Sequence, residues 1–108
     1  MTVNDLINAL GFQPIALPDP EREICGCYIG DLLSWVMGNA KADDLWITIM
    51  SNVNTVAVAS LADVSAVLLA EGVTLEESIV QTALQKGVNV LSAPLPAYEA
   101  AVLVHGAL

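Results

Sequence analysis

Residues 66–96, AVLLAEGVTLEESIVQTALQKGVNVLSAPLP, form the stretch that decides the fold of this chain. Residues 66–70 are apolar without alternation, which is typical of a strand covered on both faces by helices. Residues 75–86 carry apolar side chains at helical spacing, and Gly87 is placed to end that helix in the left-handed conformation. Residues 88–91 read as a second buried strand. The order strand, helix, strand predicts a right-handed parallel crossover, and therefore a parallel sheet covered by helices.

The start of the helix within this stretch has a capping signal. Thr74 is a good N-cap residue, and Glu77, three residues later, completes the pattern of a capping box. The sequence therefore predicts a helix that begins directly after Thr74, with Leu75, Ile79 and Leu84 on its buried face.

The rest of the chain repeats the alternation of strand and helix. One segment, 54–63, has strand propensity, but the parallel strands on either side of it need a crossover, so we interpret it as a helix with Asn54 as N-cap. Asp31 is the predicted N-cap of the preceding helix. The other predicted elements are helices over 2–10, 31–38 and 97–105, strands over 24–29 and 45–50, and an extended edge segment over 12–17. The prediction is a single α/β domain over residues 1–108: a three-layer α/β/α sandwich with a mostly parallel sheet of about five strands.

The charge composition excludes two classes of partner. Three basic residues face twelve acidic ones, for a net charge of −9. Nucleic-acid binding needs several phosphate contacts from Lys or Arg, which this chain cannot supply, and anionic membrane surfaces are disfavoured for the same reason. Solubility is the simpler interpretation of the acidity, and capture of a basic partner is the alternative. With no basic signal-peptide start and no apolar run of about 18 residues, we expect a cytoplasmic protein.

The two cysteines allow two interpretations. Cys25 and Cys27 have a Cys-x-Cys spacing, whereas a zinc site usually has Cys-x-x-Cys and needs four ligands. The only histidine, His105, lies far along the chain. Metal or redox chemistry is therefore the weaker interpretation, and two small buried side chains are the stronger one. We expect no metal and no cofactor.

Catalytic signatures are absent from the sequence. No nucleophile elbow, Gly-x-Gly-x-x-Gly or His-Glu-x-x-His motif occurs. Lys41 follows a glycine and an asparagine but is followed by Ala42, where a phosphate-binding P-loop has Ser or Thr. The chain is therefore predicted not to be an enzyme.

Small polar residues follow the predicted strands. In open parallel sheets, ligands bind beyond the carboxyl ends of the strands, and helix N-termini there can hold a small anion. The alternative is that these residues only cap helices and turns. The candidate ligand-binding residues are Ser51, Asn52, Gly72, Ser92 and Tyr98.

Three large apolar side chains also have two interpretations. Trp35, Met37 and Trp46 belong either to the core or to a surface for self-association. The helix over 31–38 has few polar residues to present to solvent, so we expect a second copy to cover part of it. The expected assembly is a homodimer, with a protein partner in a regulatory system as a further possibility.

Six short phrases follow one another along the chain: GDLL (30–33), DLWITI (44–49), VAVASL (56–61), VLLAEG (67–72), VLS (90–92) and PAYE (96–99). Together they resemble a DRTGG domain, a family similar to the N-terminal domain of HPr kinase/phosphorylase. The resemblance implies a three-layer fold with a mostly parallel sheet and a role as a regulatory or interaction module. It carries over no functional residue, and the kinase activity of HPr kinase belongs to a P-loop domain that this chain lacks.

Two functions therefore compete. The first is a non-catalytic regulatory or protein-interaction domain that self-associates. The second is a sensor module that binds a small ligand or nucleotide at the carboxyl ends of its parallel strands.

Overall fold

A computed structural model describes residues 1–108 as five helices and five strands. The longest helix has 11 residues, and no helix is long and apolar enough to cross a membrane. In chain order the elements are α1 (Val3–Leu10), β1 (Gln13–Ala16), β2 (Gly26–Ile29), α2 (Leu33–Asn39), β3 (Asp44–Thr48), α3 (Val53–Ala62), β4 (Ala66–Leu69), α4 (Glu77–Lys86), β5 (Val90–Ser92) and α5 (Ala97–Ala107).

The five strands form one sheet in the order β1-β5-β4-β3-β2. Strands β2 to β5 are parallel, and β1 pairs antiparallel with β5 at one edge. The predicted mostly parallel sheet is confirmed, and the segment around Pro14 is an edge strand as expected. The three connections between parallel strands, through α2, α3 and α4, all run toward the β1 edge of the sheet. Because such connections are right-handed, the three helices lie on the same face of the sheet.

Two apolar cores lie on opposite faces of the sheet, which confirms the three-layer sandwich. On one face, Val36 of α2, Val56 of α3 and Ala83 of α4 pack with Trp46. The core on the other face is made by α1, α5 and the alternate strand residues; its members include Val3, Leu6, Leu45, Ile47, Leu68, Leu91, Ala100 and Val104. Strands β3 and β4 are buried at every position, which is why their sequences are apolar without alternation.

Two predicted helix boundaries are confirmed in detail. Thr2 caps α1 through a complete capping box, in which its side chain and that of Asp5 each accept a backbone N–H. Gly87 ends α4 with a φ of 71°, the left-handed conformation that glycine adopts without strain.

Three predicted N-caps are wrong. The N-cap of α2 is Leu32, because the carboxylate of Asp31 instead binds β3 and the residue after it. Asn52, not Asn54, caps α3, with its Oδ1 accepting from two backbone amides at the helix start. Thr74 does not cap α4.

Helix α4 begins at Glu77, later than predicted, because the preceding residues are extended against the core. Val73 and Leu75 pack on the α2–α4 side, and the carbonyl oxygen of Val73 accepts a hydrogen bond from Ser92 Oγ. Glu76 takes the N-cap position without a side-chain hydrogen bond. Leu84, expected on the buried face, is exposed.

Two polar residues tie loops to the sheet on the side opposite the strand carboxyl ends. Asn89 is buried at 1% exposure, and its side-chain amide binds the backbone of Asp19 and Ser65. Arg22 contacts the carboxylates of Asp43 and Asp63, each at 2.9 Å. These contacts fix the long connection between β1 and β2 against the strand beginnings.

Candidate functional site

The carboxyl edge of the sheet carries the largest cavity, about 500 Å³ in volume. It lies between the loop after β3 and the start of α4. Among the predicted ligand-binding residues, Ser51 and Asn52 line it. The complete lining is Ile49, Met50, Ser51, Asn52, Thr74, Glu76 and Ile79.

Helix-capping contacts fix the polar side of this cavity. Asn52 Oδ1 accepts from the amides of Asn54 at 2.9 Å and Thr55 at 3.3 Å, and Thr55 Oγ1 donates to the Met50 carbonyl oxygen. The Nδ2 of Asn52 and the hydroxyl of Ser51 have no partner within the protein, so both remain free to bind a ligand. Glu76 adds a carboxylate to the same wall, which disfavours a strongly anionic ligand.

Gly72 and Ser92 make hydrogen bonds within the protein rather than facing a cavity. Gly72 has a φ of 70°, and its N–H donates to the Ala93 carbonyl oxygen at 2.9 Å. Ser92 is buried, and its Oγ donates to Val73. These two residues join the loops after β4 and β5, and neither lines a cavity.

Tyr98 lies apart from the other candidates, on α5 in the opposite helix layer. Its side chain is 77% exposed and lines an apolar cavity of about 360 Å³ with Leu95, Glu99, Val102 and Leu103. Of the five predicted residues, only the sequence neighbours Ser51 and Asn52 line the same cavity.

A second cavity at the carboxyl edge, about 160 Å³, contains residues that the sequence prediction missed. Asp31 Oδ1 accepts from Thr48 Oγ1 at 2.7 Å and from the Ile49 amide at 3.0 Å. Glu71 lines the same cavity and has a positive φ of 60°. The sequence signal for this cavity is the position of Asp31 just after a strand, a position that also predicts a helix N-cap. The cavity is acidic, and no basic side chain lines it.

The two cysteines are exposed, which corrects the expectation that they are buried. They lie on and next to β2, an edge strand, so only one neighbouring strand covers them. Cys27 and His105 line one groove of about 360 Å³ between β2 and α5. Desolvation, together with the nearby Asp44 carboxylate, raises the pKa of the Cys27 thiol to about 11, which disfavours the reactive thiolate at neutral pH. Nowhere do three His, Cys, Asp or Glu side chains cluster as metal ligands would.

The two tryptophans are separated by the fold. Trp46 is fully buried, and its Nε1 donates to the Gly30 carbonyl oxygen at 2.8 Å. Trp35 is 63% exposed on α2, and Met37 is also exposed. Trp46 is therefore a core residue, whereas Trp35 and Met37 are surface residues.

Comparison with known proteins gives one informative result. No family model and no curated protein matches the sequence. Among solved structures, the chain is similar to the CBS and DRTGG domains of the regulatory region of Clostridium perfringens pyrophosphatase, which was crystallised with its activator, diadenosine tetraphosphate. The TM-score is 0.75 at 14% identity, over 95% of this chain and 45% of that one, so the chain spans less than half the length of that structure. The resemblance to a DRTGG-containing protein is thus confirmed at the level of the fold: the chain has an α/β fold that is also found in a regulatory region.

Proposed function

We propose that this chain is a non-catalytic regulatory or protein-interaction domain that self-associates. The observation that carries the proposal is a set of exposed apolar side chains at one edge of the sheet, at the end of β2 and at α2. Large apolar groups that remain exposed in a small domain mark a surface that a partner covers. The members of this β2–α2 surface are Ile29, Leu32, Trp35 and Met37.

The position of α2 supports the proposal. Within its layer α2 contacts α3, and α3 contacts α4, so α2 is the outermost helix and one of its flanks has no neighbouring helix. Strand β2 is likewise the outermost strand on this side. The sheet and the layer of α2, α3 and α4 therefore both end at the β2–α2 surface. The fold similarity to a pyrophosphatase regulatory region fits a role of this kind.

Sedimentation equilibrium tests the proposal over protein concentrations from about 1 µM to about 1 mM. We expect a reversible dimer, and Trp35→Ser should weaken it because it removes a large apolar contact. Leu61→Ser is the matched control, since Leu61 is exposed on α3, outside the β2–α2 surface. A strictly monomeric protein at the highest concentration would contradict the proposal.

A second candidate function is binding of a small ligand or nucleotide in the 500 Å³ cavity. It is favoured by the free amide of Asn52 and the free hydroxyl of Ser51, and the similar pyrophosphatase region was crystallised with a nucleotide activator. Thermal shift with adenosine, AMP, ATP and diadenosine tetraphosphate tests it, and the Glu76 carboxylate in the cavity wall should make the stabilisation larger for adenosine than for the polyphosphates. Asn52→Asp keeps the capping oxygen but removes the amide donor, so it should abolish ligand stabilisation with little loss of fold stability. No shift with any of these nucleotides would count against this function.

The proposal places the domain in the cytoplasm. Its two unpaired, exposed thiols suit a reducing compartment, where glutathione and thioredoxin keep cysteines reduced. It includes no role in binding nucleic acid or membranes, in keeping with the net charge of −9.

A further inference from the structure

The two edges of the sheet differ in how well they are protected against pairing with another strand. Edge strand β1 contains Pro14, which has no N–H to donate, and its register shifts between Pro14 and Ala16. Proline and irregular register are devices that natural sheets use to prevent edge-to-edge association. Strand β2, the opposite edge, has neither a proline nor a charged side chain, and its register with β3 is regular.

The outer edge of β2 is unused within the molecule. No backbone or side-chain hydrogen bond outside the β2–β3 ladder involves a main-chain group of Gly26–Ile29. An edge strand in a ladder directs half of its N–H and C=O groups away from its neighbour, so this edge offers donors and acceptors to an incoming strand.

Apolar groups flank this edge on both faces of the sheet. Cys27 and Ile29 border the groove next to α5, and the exposed Trp35 lies on α2 on the opposite face. Residues 24–40 contain a single charged side chain, that of Asp31, although the whole chain has fifteen. One carboxylate oxygen of Asp31 already accepts two hydrogen bonds.

We infer that the β2 edge pairs antiparallel with the β2 edge of a second copy, so that the two sheets join into one of ten strands. This inference rests on the self-association proposed above and names its geometry. A twofold axis perpendicular to the sheet makes any strand edge complementary to itself, with both strands antiparallel.

Charge and area favour a second copy over a different partner. Two chains of net charge −9 repel each other least where charges are sparse, and residues 24–40, which contain the β2 edge and α2, carry a single charged side chain. A basic partner would gain nothing from so uncharged a surface. A stable dimer buries about 800 Å² per partner, a modest part of the 5308 Å² accessible here, so the contact must include the exposed side chains of Ile29 and Trp35 beside the paired strands.

Lysine substitution at the edge tests the inference by sedimentation equilibrium. Ile29→Lys places a charge on the edge strand, and Val102→Lys places the same charge at a similarly exposed position on α5, at 52% against 49%. We expect Ile29→Lys to raise the dimer dissociation constant at least tenfold and Val102→Lys to change it less than twofold. Circular dichroism of both variants checks that they fold.

Amide hydrogen exchange of the unmodified chain gives a second readout that needs no variant. Outward-directed amides of Gly26–Ile29 should exchange at least tenfold more slowly at about 1 mM than at about 1 µM. A monomer at 1 mM would overturn self-association itself. The edge pairing alone would be overturned by a dimer in which the β2 amides exchange at the same rate at both concentrations and the two lysine variants have equal dissociation constants. That result would leave the proposed function in place.

Discussion

Asn89 and Asp19 form two reciprocal hydrogen bonds across the amino ends of the strands. The side-chain oxygen of Asn89 accepts from the Asp19 amide at 2.9 Å, and its Nδ2 donates to the Asp19 carbonyl oxygen at 2.7 Å. The same Nδ2 donates to Ser65 at 2.9 Å. Only the backbone of Asp19 takes part, so one buried amide fixes a distant loop without depending on that loop's side chain.

We therefore predict that Asn89→Ala lowers the free energy of unfolding by about 2–3 kcal/mol. The substitution leaves the buried carbonyl oxygen of Ser65 and the partly buried backbone groups of Asp19 without this partner, and an unpaired buried group costs about 1–3 kcal/mol. Urea denaturation measures the loss. Asp19→Ala is the matched control and should change stability by less than about 0.5 kcal/mol, since it keeps the backbone; equal losses in the two variants would contradict this account.

The ion pairs of Arg22 should make a smaller contribution that depends on salt. Its guanidinium binds Asp43 and Asp63. Burial by itself lowers the pKa of Arg22, but the hydrogen bonds to these two carboxylates outweigh burial, so the pKa of Arg22 is raised. The carboxylates are substantially exposed, so we expect Arg22→Ala to cost about 1 kcal/mol at low salt and less in 1 M NaCl. Lys86→Ala, which breaks no ion pair, is the comparison; a loss for Arg22→Ala that does not respond to salt would point to packing instead.

Two glycine substitutions should act in opposite directions. A Cβ at position 26 would lie 2.6 Å from Oδ1 of Asp44, whose buried carboxylate accepts from the Lys41 amide. Gly26→Ala should therefore destabilise the fold by about 1–3 kcal/mol. Gly38→Ala meets no atom within 4 Å and replaces a helical glycine, so it should stabilise by about 0.5–1 kcal/mol. Thermal denaturation distinguishes the two, and a destabilised Gly38→Ala would contradict the helix argument.

The raised pKa of the Cys27 thiol predicts that the folded protein loses stability in alkaline solution. The pKa of this thiol is about 11 in the folded protein, against 9.0 for an unperturbed thiol, because partial desolvation in the groove beside α5 and the Asp44 carboxylate disfavour the thiolate. The folded state therefore holds the proton more tightly, so the contribution is complete below pH 9 and is lost as pH rises from 9 to 11. Screening at this partly exposed side chain limits the loss to about 1 kcal/mol.

Comparison of two cysteine variants across this pH range isolates the contribution of the Cys27 thiol. Cys27→Ala should flatten the dependence of stability on pH between 9 and 11, whereas Cys25→Ala should leave it as in the unmodified chain. Parallel curves for Cys27→Ala and the unmodified chain would show that this thiol is not the cause.

Local periodicity was enough to predict most of the architecture. The alternation of strand and helix, the parallel sheet and the edge strand at Pro14 all follow from patterns within a few residues of each other. Even α3 was found by the need for a crossover. Its buried face could not be predicted, because apolar residues surround the helix: Val56 and Ala59 are buried, whereas Leu61 is 73% exposed.

The candidate site was less predictable because it depends on the order of strands in the sheet. Cys25 and Cys27 look like core residues in an apolar segment, and only the edge position of β2 exposes them. Thr74 and Glu77 satisfy a capping pattern, but packing of Val73 and Leu75 on the core keeps this segment extended. Tyr98 follows a strand closely in sequence, yet α5 carries it to the layer opposite α4.

The antiparallel strand at the sheet edge has a consequence for the order of folding. Strands β2, β3 and β4 each pair with the next strand in sequence, whereas β1 pairs with β5, with Gln13 opposite Ser92. Helix α1 likewise packs against α5. Closing so long a loop costs more entropy and slows contact formation. Helix α1 and strand β1 must therefore wait until β5 and α5 have been synthesised before they find their partners, and we expect them to join the fold in its final step.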